Sequence, residues 1–121
     1  MNYLIRVNLD IDPDKAKDSP RFREMIDVVR GFLRNSDKVI LLSHRGRPRG
    51  IQKELTLEPF TEKIRKASSQ KVRFFGDFEF KDIKKEIEEG NEKVYLLENL
   101  RFLSGESKNS KGLAKQLASL G

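Results

Sequence analysis

Val39-Ile40-Leu41-Leu42-Ser43-His44-Arg45-Gly46-Arg47-Pro48-Arg49-Gly50-Ile51-Gln52 joins four consecutive apolar residues to a basic, glycine-punctuated turn. A short uninterrupted apolar run of this kind is the pattern of a strand covered on both faces, as in a parallel sheet. The turn that follows holds the only histidine of the chain, His44. Gly46 and Gly50 allow positive φ or close approach of a ligand to the backbone, and Pro48 stiffens the turn and disfavours helix at Arg47. Arg45, Arg47 and Arg49 crowd within five residues and repel one another unless an anion lies between them. Guanidinium forks match carboxylate and phosphate oxygens, so the loop reads as an anion site. A solvated basic turn is the alternative on composition alone.

Outward from this stretch, strand and helix patterns alternate. Tyr3 to Leu9 is β-branched and aromatic enough for a first strand, and Asp10 to Pro20 is polar loop. Ser19 followed by Pro20 starts a helix with a capping hydroxyl and proline at its first position, and Phe22, Met25, Ile26, Val29, Phe32 and Leu33 recur on one face. Asn35-Ser36-Asp37 breaks that helix before the second strand, Lys38 to Ser43. Thr56 can cap a second helix through Ala67 with Leu57, Phe60 and Ile64 inward. Val72 to Phe75 is a third strand, Phe80 to Glu89 a third helix, Val94 to Glu98 a fourth strand, and Ser110 to Leu120 a final helix. Phe74 and Phe75 read as core strand residues rather than a stacking platform for bases. The pattern predicts an α/β fold, a three-layer Rossmann-like parallel sheet of about four strands, with right-handed crossovers and helices on both faces.

In such a sheet ligands bind beyond the carboxyl ends of the strands. Sequence order delivers to that rim Asn8 and Asp10 after the first strand, His44 to Arg49 after the second, and Asn99 to Arg101 after the fourth. Arg21, in the first turn of the first helix, opens on the same edge.

Composition narrows the classes of function. The chain has 121 residues, 36% of them hydrophobic and 36% charged, and a length that suits one domain. No apolar run approaches the roughly 20 residues of a membrane helix, and the N-terminus lacks the pattern of a signal peptide, so no membrane partner is expected. Without cysteine there is neither disulfide frame nor thiolate site, and one histidine makes no conventional zinc cluster; no metal site and a cytoplasmic location are the expectations. The net charge of +6 favours anionic partners. Its concentration on one loop argues for a local site over a nucleic-acid stripe, which makes nucleic acid the lesser reading. No Gly-x-x-x-x-Gly-Lys-Ser/Thr cradle occurs, so no cofactor or nucleotide is expected on this chain itself.

Arg6-Val7-Asn8-Leu9-Asp10, Ser43 to Gly50, and Leu96-Leu97-Glu98-Asn99-Leu100-Arg101-Phe102 together resemble the N-terminal half of phosphoglycerate kinases, in the family's order and at plausible spacings. Ser19 to Phe22 falls where the family has an acidic-Thr-Arg-Ile helix start, and Leu117-Ala118-Ser119-Leu120 resembles a further family segment. The resemblance implies transfer of phosphate between 1,3-bisphosphoglycerate and ADP, with 3-phosphoglycerate held by this part of the protein. It implies substrate contacts from Arg21, His44, Arg47 and Arg101, with Arg21 also catalytic. Asn8 and Asp10 take positions where the family usually has Asp and Asn, near the glycerate end of the substrate, so their order is exchanged. Arg45 replaces the small or apolar residue common beside the histidine.

The family continues beyond such a segment into another strand, a hinge and a second domain that binds Mg-ATP or Mg-ADP. Residues 1–121 therefore read as a partial N-terminal domain, inactive alone, whose partners include the missing C-terminal domain. Self-association through an exposed sheet edge is a further expectation. A non-catalytic module for phosphorylated metabolites is the rival class. At the level of single residues His44 could cap a strand end, Arg101 could lay its stem on Phe102, and Asn8 and Asp10 could shape a turn. Arg45 and Arg49 read as solvent-facing charge.

Overall fold

Period-two alternation along each strand divides its apolar side chains between two cores, one on either face of the sheet. In the computed structural model, which describes residues 2–33, 38–46, 53–102 and 111–120, β1 (Asn2–Arg6), β2 (Lys38–Leu42), β3 (Val72–Phe75) and β4 (Val94–Leu97) form a sheet in the order β1-β2-β4-β3. Every pairing is parallel: Ile5 lies opposite Leu41, Leu41 opposite Leu96, and Leu96 opposite Phe74. Among the described residues four helices accompany the strands, α1 (Pro20–Leu33), α2 (Phe60–Ser68), α3 (Phe80–Glu89) and α4 (Lys111–Ala118), with one- or two-turn 3-10 helices at Pro13–Asp18, Lys53–Leu55 and Leu100–Phe102.

Val39 and Leu41 of β2 and Val94 and Leu96 of β4 face one core, which Phe22, Met25, Ile26 and Val29 of α1 and Phe60 and Ile64 of α2 complete. Ile40, Leu42, Tyr95 and Leu97 face the other, against Ile83 and Ile87 of α3 and Leu117 of α4. The three-layer arrangement is thus the one the sequence pattern predicts. No helix of the described residues is long and apolar enough to cross a membrane.

Boundaries shift where side chains compete with the backbone ladder. The first strand ends at Arg6 rather than Leu9, because after the Val7 N–H to Leu42 carbonyl bond of 2.9 Å the Leu9 amide turns to the Ser43 hydroxyl. The second helix starts at Phe60 rather than Thr56. The Thr56 hydroxyl accepts from the Glu58 amide at 3.2 Å and donates to Glu98, so it shapes a turn ahead of the helix instead of capping it. Ser19 does cap α1, accepting the Phe22 N–H at 3.3 Å. The Asn35-Ser36-Asp37 break and the Ser110 helix start lie outside the described residues.

At the amino end of the sheet Tyr95 is fully buried. Its ring lies nearly parallel to Phe75 at 5.9 Å, and Lys38 Nζ sits 5.7 Å over its centre while donating to the Ile87 carbonyl and, at 2.9 Å, to that of Gly90. A cation there satisfies carbonyls that the last turn of α3 leaves unpaired. A Cβ on Gly90 would meet the Glu86 carbonyl oxygen and the Tyr95 hydroxyl at 2.7 Å each, so only glycine lets the chain pass.

Burial first, and then the nearby Glu92 carboxylate, push the Tyr95 phenol from its ordinary 10.0 up to about 12. A folded value above the unfolded one means that this contribution is complete below pH 10 and is lost as pH rises toward 12. Urea midpoints should therefore fall across that window, and Tyr95→Phe should remove part of the fall. An identical decline in both proteins would assign it to other groups.

Candidate functional site

The carboxyl end of a parallel sheet leaves backbone donors and acceptors unpaired just where helices on both faces shut out water. Three residues that follow the strands directly, Ser43 after β2 and Glu98 and Asn99 after β4, are polar yet only 2%, 7% and 0% exposed. Ser43 Oγ accepts from the Leu9 amide at 3.0 Å and donates to the Val7 carbonyl at 2.7 Å, which ties the chain after β1 to the end of β2. The Ser43 carbonyl accepts from the Leu100 amide at 3.0 Å and draws in the chain after β4.

Asn99 uses both ends of its amide. Oδ1 accepts from the Arg45 N–H at 3.2 Å, and Nδ2 donates to the carbonyls of Arg45 at 2.8 Å and Leu55 at 2.9 Å. Glu98 Oε1 accepts from the amides of Leu57 and Asn99, each at 2.8 Å, and Oε2 accepts from the Thr56 hydroxyl. The two ends of the loop that leaves β2 and reaches α2 are both pinned to the end of β4.

The loop turns at Gly46, whose φ is +63° and whose added Cβ would stand 3.0 Å from Leu55 Cδ2. Conformation and space both demand glycine there. The Gly46 amide donates to Asp10 Oδ1 at 3.0 Å, and the Asp10 amide donates to Asn8 Oδ1 at 3.0 Å. Asn8 and Asp10, both exposed, thereby act in the turn-shaping way that their residue types allow.

His44 is half-buried, and its Nδ1 is buried with no hydrogen-bond partner among the described residues. Arg45 departs from the solvent-facing expectation: Nη1 folds back to the carbonyls of Glu54 at 3.0 Å and Thr56 at 3.4 Å, which the single turn Lys53–Leu55 leaves open. Arg21, exposed, is the second residue of α1. A helix joining two adjacent parallel strands runs back from the carboxyl end of the first, so Arg21 starts at the same edge. No hydrogen bond or ion pair joins it to the loop among the described residues. Arg101 belongs to the turn Leu100–Phe102 directly beyond β4. Arg47, Pro48, Arg49 and Gly50 lie outside the described residues.

The edge thus carries a constrained loop, a half-buried histidine and arginine positions on two further segments, an arrangement suited to positioning an anion. Among the described residues no group of three or more His, Asp or Glu side chains could hold a metal ion. Ser43 and Glu98, which do most to build the edge, are the residues that sequence reasoning passed over as strand termini. Their signal was a polar residue set directly after an apolar run with no turn between.

A family model described as phosphoglycerate kinase matches residues 2–121. The chain is 36% identical over 122 residues to a phosphoglycerate kinase of Helicobacter pylori strain J99, and 38% identical over 121 residues to one of Campylobacter lari. Each match covers 97% of this chain and 30% of the relative, so the chain spans about 30% of the length of the curated relatives it matches. Among solved structures it is similar to phosphoglycerate kinase from Coxiella burnetii, with a TM-score of 0.75 and 26% identity over 98% of this chain and 30% of that one. The fold is shared with phosphoglycerate kinase from Pyrococcus horikoshii OT3 at a TM-score of 0.72 and 23% identity.

Asn99→Ala would take this partner from two part-buried carbonyls and one amide and should cost about 3 kcal/mol in urea unfolding. Asp10→Ala, which removes one exposed acceptor, should cost about 1 kcal/mol or less. Equal losses from the two substitutions would show that burial of the Asn99 bonds is not what stabilises the edge.

Proposed function

The chain belongs to the phosphoglycerate kinase family, and from that membership we propose that it is the N-terminal part of such an enzyme, the part that holds 3-phosphoglycerate. The reaction of the whole protein is transfer of a phosphoryl group between the acyl phosphate of 1,3-bisphosphoglycerate and ADP. The observation that carries the proposal is that the three motif segments are hydrogen-bonded to one another: Asp10 to Gly46, and Asn99 to Arg45. Residues 6–10, 43–46 and 96–102 therefore act as one rim.

Phosphoryl transfer asks the protein mainly for position and for charge opposite the transferring group. Arg21, Arg47 and Arg101 supply guanidinium forks to the substrate's phosphate and carboxylate, with Arg21 closest to the transfer. His44, half-buried at the start of the loop, brings its ring to the same edge. Asp10, fixed against the loop backbone, sets the distance between the first and second segments, and Asn8 sets the turn that presents it. The Mg-nucleotide, which brings the second phosphate chain and its counter-charge, belongs in this proposal to the length of the relatives that this chain does not span. Residues 1–121 form a partial N-terminal domain in the same reading, with the outer strands β1 and β3 as the edges open to pairing.

Amide chemical shifts of the chain titrated with 3-phosphoglycerate should saturate at 8–10 and 44–46. Arg47→Ala should weaken that binding by about tenfold or more, the scale of one charge-assisted contact, and inorganic phosphate should compete. Binding indifferent to Arg47→Ala would sink the assignment. With Mg-ATP and 3-phosphoglycerate the isolated chain should give no turnover above a buffer control, and genuine turnover would overturn the division of labour.

A further inference from the structure

A cleft of about 370 Å³ lies between α1 and α2 and shares no residue with the rim. Phe22, Ile26 and Ala67 line it together with Arg23, Arg30 and Lys63. Its volume falls at the lower end of the roughly 300–1,000 Å³ of small-molecule sites, and its lining combines apolar side chains with a few polar ends, as such sites do. Phe22 and Ile26 are buried parts of the core, so they offer a fixed apolar floor.

The charge around that floor is one-sided. Lys17, Arg23, Arg30 and Lys63 border the cleft against a single carboxylate, Asp27. Arg30 is engaged, donating to the Ala67 carbonyl at the end of α2. Glu62, the acid beside Lys63 on α2, is taken by Arg65, which reaches both of its oxygens at 2.7 to 3.1 Å. Lys17, Arg23 and Lys63 make no ion pair among the described residues. Lysine and arginine stems cover apolar surface while their heads stay at the rim, which suits a ligand that is apolar at one end and anionic at the other.

We propose that this cleft binds a small amphiphilic anion, an aryl or short alkyl carboxylate or phosphate, with its apolar body on Phe22, Ile26 and Ala67 and its anionic group between Arg23 and Lys63. The site is independent of the 3-phosphoglycerate reading. A polar anion with no apolar body has nothing to place on the floor, and an apolar cation meets the wrong charge.

The test is a titration of the chain with 2-naphthoate, followed by amide chemical shifts. Saturable shifts should centre on 22–30 and 63–67 and leave 44–46 unmoved, and 3-phosphoglycerate should not displace the probe. The cation 2-naphthylmethylammonium, with the same ring system, should bind at least about tenfold more weakly. Arg23→Glu and Lys63→Glu, at exposed and half-buried positions, should each weaken 2-naphthoate by about tenfold. Ala67→Leu should obstruct it without changing charge. Shifts centred elsewhere, equal binding of the cation, or both charge reversals without effect would overturn the proposal.

Discussion

Parallel strands that end inside a three-layer fold must hand their last backbone groups to something other than water, and in this chain Ser43, Glu98 and Asn99 receive them. An unpaired buried amide or carbonyl costs on the order of 1–3 kcal/mol, and several occur here within a few ångströms. Satisfying them with side chains from the strand ends themselves stabilises the edge and, in the same act, fixes the loops that leave it. The rigidity of the candidate site is therefore a by-product of a folding requirement. Arg45 and Gly46 hold their places because Asn99 and Asp10 need partners as much as they do.

The opposite end of the sheet solves the same problem by other means. There Lys38 brings a charge to the closing carbonyls of α3, with the aromatic face of Tyr95 beneath it. One end is closed by an ammonium group and a buried phenol, the other by a neutral amide, a hydroxyl and a carboxylate. At the carboxyl end the inner polar groups already satisfy one another, and Arg21 stays exposed there. Arg45 is instead spent on the carbonyls of the 53–56 segment.

Charge outside the rim is distributed in two ways. On α2 Glu62 and Arg65 neutralise each other one turn apart, an exposed pair that contributes little to stability. Along the α1–α2 cleft Lys17, Arg23 and Lys63 make no ion pair among the described residues. By sequence the net positive charge falls on residues 38–55, five cations against Glu54, and on residues 100–121, four against Glu106.

Periodicity and composition were enough to determine the strands, their parallel pairing and the helix start at Ser19. These depend on local pattern and on the exclusion of water from apolar faces, both of which a single sequence carries. The same reading delivered Asn8, Asp10, Arg21, His44 and Arg101 to one edge, because parallel topology sends every strand end there. It did not foresee that β1 would stop at Arg6, that Thr56 would serve Glu98 rather than cap α2, or that Arg45 would turn inward. Each of these rests on a hydrogen bond between residues 9 to 42 positions apart, and no local propensity encodes such a partner. Local pattern is enough for the layers and the edge, whereas the polar groups that meet across that edge are chosen by distances between segments, which chain order leaves free.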